Sequence, residues 1–389
     1  MKILVVCENY HPHLGGAEVV LKNLAEGFTK EGNQVTVVTH HLPATAKQET
    51  HNVVVIKRVS SANSRYLFSF TAIYRTIKEA KHVDIIQATT FNGAFPAWIA
   101  AKIRRKPVVL IVHEVWIGKW QKITGFSLLK SAIHNILERL IYVSNYNAYV
   151  CVSEATKRDL LAHHIPSSKI HRIYNGFDDT FWHPQNFAKN ETTKVKTQHK
   201  KEDEFLFFAW GRPGASKGFE TLIDAMEELV KTQQSIPNQP KAKLLLLLGS
   251  KDSYKQRYDA LHQKIKDKKL EPYITIGDSV PYEKLGNYIL AADCVVIPSL
   301  AEGFGYTTIE AASLGTPVIV SDAGSLPEVV HGKHLLFKAG SVSELTNTMM
   351  KAMKTEFHHK EKKTFSWNQT IKEYLNVYQE LLSQNQKEK

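Results

Sequence analysis

Residues 293–330, DCVVIPSLAEGFGYTTIEAASLGTPVIVSDAGSLPEVV, decide the fold. Residues 295–297 form a short apolar run, which is typical of a strand buried on both faces. The two glycines of residues 302–305, EGFG, allow the next loop to approach a ligand closely. A helix that ends at Gly315 and a second apolar strand at residues 318–320 are predicted to follow. This order of strand, loop, helix and strand is typical of an α/β domain with a parallel sheet.

The loop in this stretch has features of an anion site. A glycine-rich loop that leads into a helix presents backbone N–H groups and the positive end of the helix dipole, which suits a diphosphate. Glu302 and Glu310 lie here with seven residues between them. A carboxylate beside an anion is favourable only where it binds hydroxyl groups, so the combination suits a sugar nucleotide. Two plainer explanations compete: Thr307 and Glu310 fit a helix capping box, and Glu302 fits an ordinary loop acid.

The whole stretch closely resembles the E-x7-E signature of the retaining glycosyltransferases of family 4, from PSLAEGFG through LGTPVIVSDAGSLPEVV. The resemblance extends over nearly the whole chain and is strongest at residues 205–330. It implies an α/β chain of GT-B architecture, with two Rossmann-like domains that face each other across a cleft and a C-terminal helix that crosses back to the first domain. Two positions depart from the family: Tyr306, where an aliphatic residue is usual, and Glu114, where Asp is usual.

The length and the composition agree with two domains. A chain of 389 residues is long enough for two hydrophobic cores. Residues 185–204 are polar and charged with few large apolar side chains, which predicts a linker. With the resemblance, we expect an acceptor domain at residues 1–184 and a nucleotide-sugar domain at residues 205–366. A terminal helix at residues 367–389 is expected to pack on the first domain.

Positive charge is concentrated in the first half of the chain. Residues 1–184 contain 22 Lys and Arg against 13 Asp and Glu, whereas the remaining residues contain 28 against 25. This excess predicts an anionic partner, such as an anionic membrane surface or a phosphorylated acceptor. Nucleic acid is disfavoured because no nucleic-acid-binding motif accompanies the charge. The alternative is a solvated basic face without a partner.

A helix with an apolar stripe is predicted next to this basic region. Residues 116–130 interleave aromatic side chains with lysines, and apolar residues then recur at helical spacing from Leu129 to Leu140. Such a helix fits a membrane interface. Ordinary core packing explains the stripe equally well.

The cysteines and the hydropathy pattern predict a cytoplasmic location. All three cysteines lie in strand-like apolar runs and fit buried free thiols in a reducing compartment. No apolar run approaches the roughly 18 residues of a membrane span, and the first apolar run is too short for a signal peptide. If the basic half binds lipid, the expected place is the inner face of the cytoplasmic membrane.

Two loops in the first half hold candidate site residues. Gly15 and Gly16 follow the first strand without a dinucleotide fingerprint, and the resemblance implies that Gly16 faces the donor diphosphate or the acceptor. His11 and His13 lie just before them and would lack a third ligand as a metal site. His11 is therefore assigned to loop packing or acceptor contact. His113 ends a buried strand, where ligands bind in parallel sheets. The resemblance implies that His113 closes the sugar pocket, and Trp116 beyond it is a candidate acceptor contact.

A loop between a strand and a helix in the second half carries Arg212 and Lys217. A planar guanidinium and a compact ammonium both suit a diphosphate, and solvated surface cations are the alternative. The resemblance implies that this pair neutralises the leaving diphosphate and that Glu310 binds the ribose. It also implies that Glu302 and the loop amides hold the sugar. The implied donor contacts are Gly16, Arg212, Lys217, Val280, Glu302, Gly303, Phe304, Gly305 and Glu310, and the implied catalytic residues are His113, Arg212, Lys217 and Glu302.

With the resemblance, the sequence predicts a retaining, metal-independent glycosyltransferase without a cofactor. It is expected to move a sugar from a UDP- or GDP-sugar to a glycan or lipid-linked acceptor in the synthesis of cell-envelope polysaccharide or glycolipid. No carboxylate is identified as a nucleophile. The resemblance implies that the acceptor attacks on the face from which the nucleoside diphosphate leaves. Three alternatives remain open: an epimerase-type enzyme, a catalytically silent sugar-nucleotide-binding protein and a membrane-surface binding module.

Overall fold

A computed structural model describes residues 1–13, 15–62, 64–234 and 239–387, and the chain divides into two units. The first unit comprises Met1–Gly118, Ser127–Phe177 and Phe365–Lys389, and the second comprises Lys119–Phe126 and Asp178–Thr364. Leu14 of the first glycine loop and the last two residues of the predicted terminal helix lie outside the described residues.

The first unit is an α/β structure whose described residues form an eight-stranded sheet. Its strands are β1 (Lys2–Val6), β2 (Gln34–His40), β3 (Gln48–His51), β4 (Val54–Val59), β5 (Ile85–Thr89), β6 (Val108–Val112), β7 (Ala148–Cys151) and β8 (Ile170–Arg172). Its helices are α1 (Gly16–Lys30), α2 (Arg65–Ala80), α3 (Ala94–Arg104), α5 (Leu128–Val143), α6 (Glu154–Ala162) and α14 (Trp367–Lys387), numbered along the whole chain.

Parallel pairing brings the site-bearing loops of this unit to one edge. The strand order is β3-β4-β2-β1-β5-β6-β7-β8, and only β3 runs antiparallel to its neighbour. β5 and β6 are buried along their whole length, as expected for strands covered on both faces. Because β1, β5 and β6 are parallel neighbours, the loops after β1 and after β6 both leave from the carboxyl edge.

The terminal helix packs on the first unit, which confirms the prediction for α14. It lies against α1, where a side chain on Gly27 would overlap with Ile371. The Phe28 ring contacts the Tyr378 ring, with centroids 5.6 Å apart. The Tyr378 hydroxyl donates a hydrogen bond to the buried side-chain oxygen of Gln87 in β5. The apolar face of α14 therefore completes the core of this unit.

The second unit is also α/β, with a seven-stranded sheet in its described residues. Its strands are β9 (Glu204–Gly211), β10 (Lys241–Leu248), β11 (Ile274–Asp278), β12 (Cys294–Ile297), β13 (Val318–Ser321), β14 (Gly332–Phe337) and β15 (His358–Lys360). Its helices are α4 (Trp120–Thr124), α7 (Lys189–His199), α8 (Phe219–Gln233), α9 (Lys255–Asp267), α10 (Tyr282–Ala291), α11 (Tyr306–Ser313), α12 (Leu326–Val329) and α13 (Val342–Met353). The strand order is β11-β10-β9-β12-β13-β14-β15, parallel except for β15.

Residues 185–204, predicted to be a linker, differ from that expectation. They contain α7, which packs on α10 within the second unit. The Thr192 hydroxyl donates to the Asn287 side chain over 3.1 Å, and Val195 is buried. With only one buried position, the composition of this helix is close to that of a disordered segment. The division between the units falls after Phe177, and Lys119–Phe126 joins the second unit through contacts of α4 with residues 215–217.

Candidate functional site

Two loops at the carboxyl edge of the second sheet form one surface. They follow β9 and β12, which are parallel neighbours with Phe208 opposite Val295. The Leu300 N–H donates to the Ser216 carbonyl over 2.6 Å and so ties the loops together. Gly218 has a φ of +68°, and a side chain there would overlap with the Pro298 carbonyl. Glycine is therefore required at this contact, which brings the two loops together where ligands bind in such sheets.

An ion pair joins these loops. The Lys217 ammonium lies 2.8 Å from Glu302 Oε2, and both side chains are partly buried. The Ser299 hydroxyl lies 3.4 Å from the same carboxylate oxygen. The Glu302 carboxylate is thus held in one orientation, and part of the Lys217 charge is neutralised before any ligand binds.

Arg212 is the second cation of the β9 loop. Its side chain is exposed, and among the described residues its guanidinium has no ion-pair or hydrogen-bond partner. An unpaired guanidinium next to a lysine provides five N–H donors in a planar fork for an anion. The β9 loop therefore combines one unpaired cation with one that is already paired.

The backbone of the Glu302 loop is held in place by the residues after β13. The Ser325 N–H and hydroxyl donate to the Glu302 carbonyl over 3.2 Å and 3.3 Å. Gly324 has a φ of +53°, and a side chain there would overlap with the same carbonyl. Gly305 has a φ of +88° and is the N-cap residue of α11. These contacts fix the path of Gly303 and the glycine-rich loop at the start of that helix.

The capping box, which was the alternative explanation for Glu310, does not form. Thr307 lies inside α11, one residue after Tyr306, and in the described structure no side chain caps this helix. Glu310 is buried instead and accepts a hydrogen bond from the Tyr282 hydroxyl over 3.4 Å. The Trp182 indole N–H donates to the same hydroxyl over 3.0 Å. A chain of two hydrogen bonds therefore orients the carboxyl group of Glu310.

Burial changes the protonation of this acid. Loss of hydration raises the pKa of Glu310 to about 7, while the Tyr282 hydrogen bond and the Lys217 charge oppose the rise. Near neutral pH the protonated and the ionised forms are therefore both populated. Ligand hydroxyls that donate to the carboxylate would favour the ionised form.

The remaining donor candidates lie at the same edge. Val280 is partly buried in the loop between β11 and α10, two residues before Tyr282. Phe304 is buried, and its ring meets the Tyr306 ring edge-on with centroids 5.1 Å apart. Tyr306, which departs from the family pattern, thus packs against the loop that it follows.

Sequence reasoning missed Tyr282, Trp182 and Ser299. Tyr282 begins a helix directly after a strand and a short loop, and this position alone places it at the ligand edge of the sheet. Trp182 follows Phe181 in an otherwise polar turn, which was a signal for a buried aromatic cluster. Ser299 carried no signal, because a serine after a strand is common in loops of every kind.

In the first unit, His113 follows β6 at the carboxyl edge. The Thr156 hydroxyl donates to its backbone carbonyl over 3.2 Å. Its Nε2 atom is buried and has no hydrogen-bond partner among the described residues. Burial lowers the pKa of His113 to about 4, so the ring is neutral at physiological pH. A neutral, unpartnered ring nitrogen can bind a hydroxyl group of a ligand.

Two carboxylates hold Trp116. Its indole N–H donates to Glu114 over 2.5 Å, and its backbone N–H donates to Glu138 over 2.8 Å. The Phe91 ring packs at 6.0 Å between centroids. Glu114, which has Asp as its usual counterpart in the family, therefore orients the indole of Trp116.

The first glycine loop precedes α1. Gly15 is the N-cap residue of that helix, and the Glu18 carboxylate occupies the space next to it, whereas the space beside Gly16 is open. The His11 ring stacks on His51 at 4.0 Å, which agrees with loop packing. An anion at Gly15 would meet the charge of Glu18.

The predicted residues thus fall into two sets. In the second unit, the residues predicted to contact the donor lie in loops at the carboxyl edge of one sheet or, for Glu310, in the helix that follows such a loop. In the first unit, His11, Gly15, Gly16, His113 and Trp116 follow β1 and β6 at the carboxyl edge of the other sheet. In the part of the chain that the structure describes, no group of three or more His, Cys, Asp or Glu side chains is arranged to hold a metal ion.

Comparison with known proteins identifies the family. Residues 14–181 match the family Glycosyltransferase Family 4, and residues 190–370 match the family Glycosyl transferases group 1. An uncharacterised glycosyltransferase of Methanocaldococcus jannaschii is 28% identical over 85% of this chain and 83% of its own length. The GPI3 subunit of phosphatidylinositol N-acetylglucosaminyltransferase from Saccharomyces cerevisiae is 22% identical over 98% of this chain and 83% of its own.

A solved structure has the same fold. The crystal structure of Anabaena HepE in complex with UDP and glucose superimposes with a TM-score of 0.71 at 20% identity, covering 100% of this chain and 98% of HepE. The two parallel α/β units and this likeness identify the GT-B fold. Both family matches, the relatives and the fold agree with the prediction from residues 293–330. The chain belongs to the family 4 glycosyltransferases of the GT-B fold.

Proposed function

We propose that this glycosyltransferase transfers a sugar from a nucleoside-diphosphate sugar to a hydroxyl group with retention of the anomeric configuration. The observation that carries the proposal is the ion pair of Lys217 with Glu302, beside the unpaired guanidinium of Arg212 and the buried Glu310. HepE, which has the same fold, was crystallised with UDP-glucose. A UDP- or GDP-sugar is therefore the donor class that we expect.

In this proposal, cations activate the leaving group. Arg212 and Lys217 bind the diphosphate, and the negative charge that develops on the departing β-phosphate is stabilised by both. When the donor binds, Lys217 exchanges its contact with Glu302 for one with the phosphate. The freed Glu302 carboxylate accepts hydrogen bonds from sugar hydroxyls, together with the amides of the loop at residues 303–305.

The reaction balances without a protein nucleophile. The bond from the anomeric carbon to the phosphate oxygen breaks as the acceptor oxygen forms a bond on the same face. The acceptor proton passes to the departing phosphate oxygen, so that the products are the glycoside and the nucleoside diphosphate. Because the two cations supply the charge stabilisation, we propose that transfer requires neither a divalent metal ion nor a cofactor.

Glu310 serves nucleotide binding in this scheme. Its carboxylate accepts from the ribose hydroxyls, and the Tyr282 hydroxyl fixes its orientation. Val280, in the loop just before Tyr282, is the proposed contact of the base. The sites for ribose and base then continue from the diphosphate site along one edge of the sheet.

For the first unit, we propose that the neutral His113 binds a hydroxyl of the donor sugar through Nε2. Trp116, His11, Gly15 and Gly16 are assigned to the acceptor side. The Glu18 carboxylate beside Gly15 favours hydroxyl groups over phosphates at that loop. Gly16, with open space beside it, is also the proposed place where the first unit approaches the donor.

The acceptor is proposed to be a glycan or a lipid-linked molecule of cell-envelope polysaccharide or glycolipid synthesis. The GPI3 relative, a phosphatidylinositol N-acetylglucosaminyltransferase by name, supports a lipid-linked acceptor. A cytoplasmic location belongs to the same proposal. The three buried cysteines, which are free thiols, are consistent with a reducing compartment.

The decisive experiment identifies the donor and then follows its anomeric centre. A thermal-shift panel of UDP-, GDP- and ADP-sugars selects the donor, because a bound ligand raises the unfolding temperature. Incubation of that donor with an acceptor library in EDTA, followed by NMR of the product, is expected to show retained configuration. Loss of turnover in EDTA, or an inverted product, would overturn the metal-independent retaining mechanism.

Conversion of the donor sugar without acceptor would indicate an epimerase-type enzyme. Binding of the donor without turnover would indicate a catalytically silent binding protein.

A further inference from the structure

Helices α5 and α2, which meet where Tyr66 contacts His134, both present apolar side chains to solvent. We propose that this surface, called the docking face below, attaches the first unit to a bilayer that contains anionic lipid. The docking face consists of Leu128, Leu129, Ile133, Ile136, Leu137, Leu140 and Val143 of α5 with Tyr66, Phe70 and Tyr74 of α2. The inference goes beyond the proposed reaction and does not depend on it.

The amphipathic pattern of α5 is inverted relative to a core-facing helix. The helix starts after Ser127, whose side chain caps it, and it buries Ser131, Glu138 and Tyr142. The seven aliphatic residues of the docking face are 48% to 74% exposed. Core packing, the alternative that the sequence left open, therefore does not account for the stripe at 129–140. An apolar stripe that faces water is unfavourable unless another surface covers it.

The polar side of α5 is held against the first unit by specific contacts. Glu138 accepts the Trp116 backbone N–H over 2.8 Å, and Asn135 accepts the Gly118 N–H over 2.6 Å. A rotation of α5 that buried its leucines would break both hydrogen bonds and leave the backbone N–H groups of Trp116 and Gly118 without these acceptors. The outward direction of the apolar stripe is thus imposed by the unit itself.

The apolar stripe of α2 continues this surface. The Tyr66 hydroxyl lies 3.0 Å from His134 Nε2, which joins the start of α2 to the middle of α5. Tyr66, Phe70 and Tyr74 follow one another at intervals of four residues and are 51%, 63% and 77% exposed. The Phe70 ring also meets Phe95 of α3 at 6.3 Å between centroids. Side chains from neighbouring helices therefore widen the surface beyond a single helix.

The charges around the docking face are positive. On α5, Lys130 and Arg139 are exposed, and the one acid of that helix, Glu138, is buried. At the end of α3, which packs on α2, Lys102, Arg104 and Arg105 are exposed. Cations beside an apolar stripe are the composition of helices that lie in the interface of an anionic bilayer.

A bilayer explains this combination better than a protein partner does. A second copy of the chain would bring its own lysines and arginines against those of the first, which is repulsive. Two tyrosines in the docking face suit the headgroup region, where aromatic rings with a polar end are enriched. None of the helices in the described residues has the length and apolar content to cross a bilayer, so the contact would be interfacial.

The test measures how the full chain sediments with vesicles. Phosphatidylcholine vesicles with and without phosphatidylglycerol are compared at low and high salt. We expect sedimentation with the anionic vesicles and a reduced bound fraction at high salt. In the variant Leu129→Gln/Ile133→Gln/Leu140→Gln, the partition constant should fall roughly tenfold or more, because three inserted side chains are lost. The matched control is Leu161→Gln/Leu336→Gln, which replaces leucines that are 40% and 45% exposed outside the docking face.

A charge variant separates the electrostatic contribution. Lys130→Glu/Arg139→Glu should weaken binding to anionic vesicles and leave the weak binding to neutral vesicles unchanged. Lys351→Glu/Lys372→Glu, which changes two exposed lysines elsewhere, is the control with equal net charge. Equal losses in both variants would show that net charge alone drives binding, and would overturn the docking face.

Further outcomes decide against the proposal. If the triple glutamine variant sediments as the unaltered chain does, or if no vesicle is bound, the proposal fails. Self-association that the same variant abolishes, without any vesicle binding, would assign the docking face to a second copy instead. Unchanged thermal unfolding and an unchanged nucleotide-induced thermal shift verify the fold of each variant. Because nucleotide binding is measured separately, loss of vesicle binding leaves the proposed transferase reaction standing.

Discussion

The Lys217 ammonium and Glu302 Oε2 are 2.8 Å apart, although their loops follow two different strands of the second sheet. The pair holds both side chains at the carboxyl edge before a ligand is present. A diphosphate would compete with Glu302 for the same lysine, and a sugar would compete with the lysine for the same carboxylate. In the proposed mechanism, the ion pair therefore couples the phosphate contact of Lys217 to the sugar contact of Glu302.

The first prediction separates the roles of these partners. Lys217→Gln should weaken nucleotide binding roughly 10- to 100-fold, because a charge-assisted hydrogen bond to phosphate is lost. Glu302→Gln should leave nucleotide affinity within about threefold. It should lower turnover by about 10² or more, because the Glu302 carboxylate is proposed to bind hydroxyl groups of the sugar. Calorimetry with the nucleoside diphosphate and steady-state kinetics with the nucleotide sugar measure the two effects.

A second ion pair serves as the control. Lys200 and Asp293 lie 2.5 Å apart, and Asp293 also accepts the N–H of Leu206 in the early part of β9, away from the ligand edge. Lys200→Gln should change stability without changing nucleotide affinity. Equal affinity losses for Lys200→Gln and Lys217→Gln would contradict a specific phosphate contact at Lys217.

The second prediction concerns the pH dependence of nucleotide-sugar binding. Burial raises the pKa of Glu310 to about 7, and the ribose hydroxyls are expected to bind only its ionised form. Affinity should therefore increase roughly tenfold between about pH 6 and about pH 8, as the carboxylate loses its proton. A nucleotide sugar is the suitable probe because its diphosphate diester does not titrate in this range. Calorimetry with Glu310→Gln should show weaker binding that does not change with pH. If the affinity of Glu310→Gln still increases with pH, Glu310 is not the group responsible.

Tyr282 allows the pKa of Glu310 to be changed while the acid itself is kept. Tyr282→Phe removes the hydroxyl that lies 3.4 Å from Glu310 Oε1 and leaves the ring contacts in place. The pKa of Glu310 should rise further, since the hydrogen bond to its charged form is lost. The midpoint of the pH dependence should accordingly move to higher pH. An unchanged midpoint would mean that the Tyr282 hydroxyl does not act on this carboxylate.

The third prediction is the effect of the same acid on stability without ligand. The pKa of Glu310 is raised from 4.5 to about 7 on folding, so the folded chain binds the proton more tightly than the unfolded chain. The free energy of unfolding that Glu310 contributes is present below about pH 4.5 and is lost as the pH rises to about 7, by about 3 kcal/mol at most. Urea unfolding of the unaltered chain and Glu310→Gln across this window measures the difference. A stability difference that stays constant with pH would contradict the raised pKa.

The fourth prediction compares two glycines with positive φ. Gly218 and Gly315 have φ values of +68° and +81°, but only at Gly218 would a side chain overlap with another loop. Gly315→Ala should cost about 1 to 2 kcal/mol of stability, the cost of the left-handed backbone alone. Gly218→Ala should cost more and should also lower turnover, because Lys217 precedes it and the Pro298 carbonyl must move. Similar kinetics for both variants would show that the contact between the loops does not position the site.

The strands of the site could be predicted, because buried parallel strands are apolar runs and their carboxyl ends share one edge. Arg212, Lys217, Glu302 and Glu310 were proposed as site residues from their positions after such strands and from the resemblance to family 4. The hydrogen bond from Trp182 to Tyr282 was not predicted, since it joins residues that are 100 positions apart in the sequence. Only the packing of the folded unit shows which hydroxyl reaches Glu310.

Periodicity shows that a helix is amphipathic but not which way it faces. The stripe from Leu129 to Leu140 predicted α5, and the hydrogen bonds of Glu138 and Asn135 decide that it faces outward. α7 was not predicted, because a helix with one buried residue shows almost no periodic pattern of apolar residues. Long-range contacts decide both cases, and a sequence window does not contain them.

The fifth prediction tests the packing of the terminal helix on the first unit. A side chain on Gly27 of α1 would overlap with Ile371 of α14, which is buried. Gly27→Ala alone should lower the free energy of unfolding by about 1 to 3 kcal/mol through overpacking, although alanine favours a helix by about 1 kcal/mol. Ile371→Ala alone should cost about 2 to 4 kcal/mol because it leaves a cavity. In the Ile371→Ala background the overlap disappears, so Gly27→Ala should there stabilise the chain by about 1 kcal/mol. Urea unfolding of the four chains gives this double-mutant cycle. The same destabilisation by Gly27→Ala in both backgrounds would show that α14 does not pack on α1 through this pair.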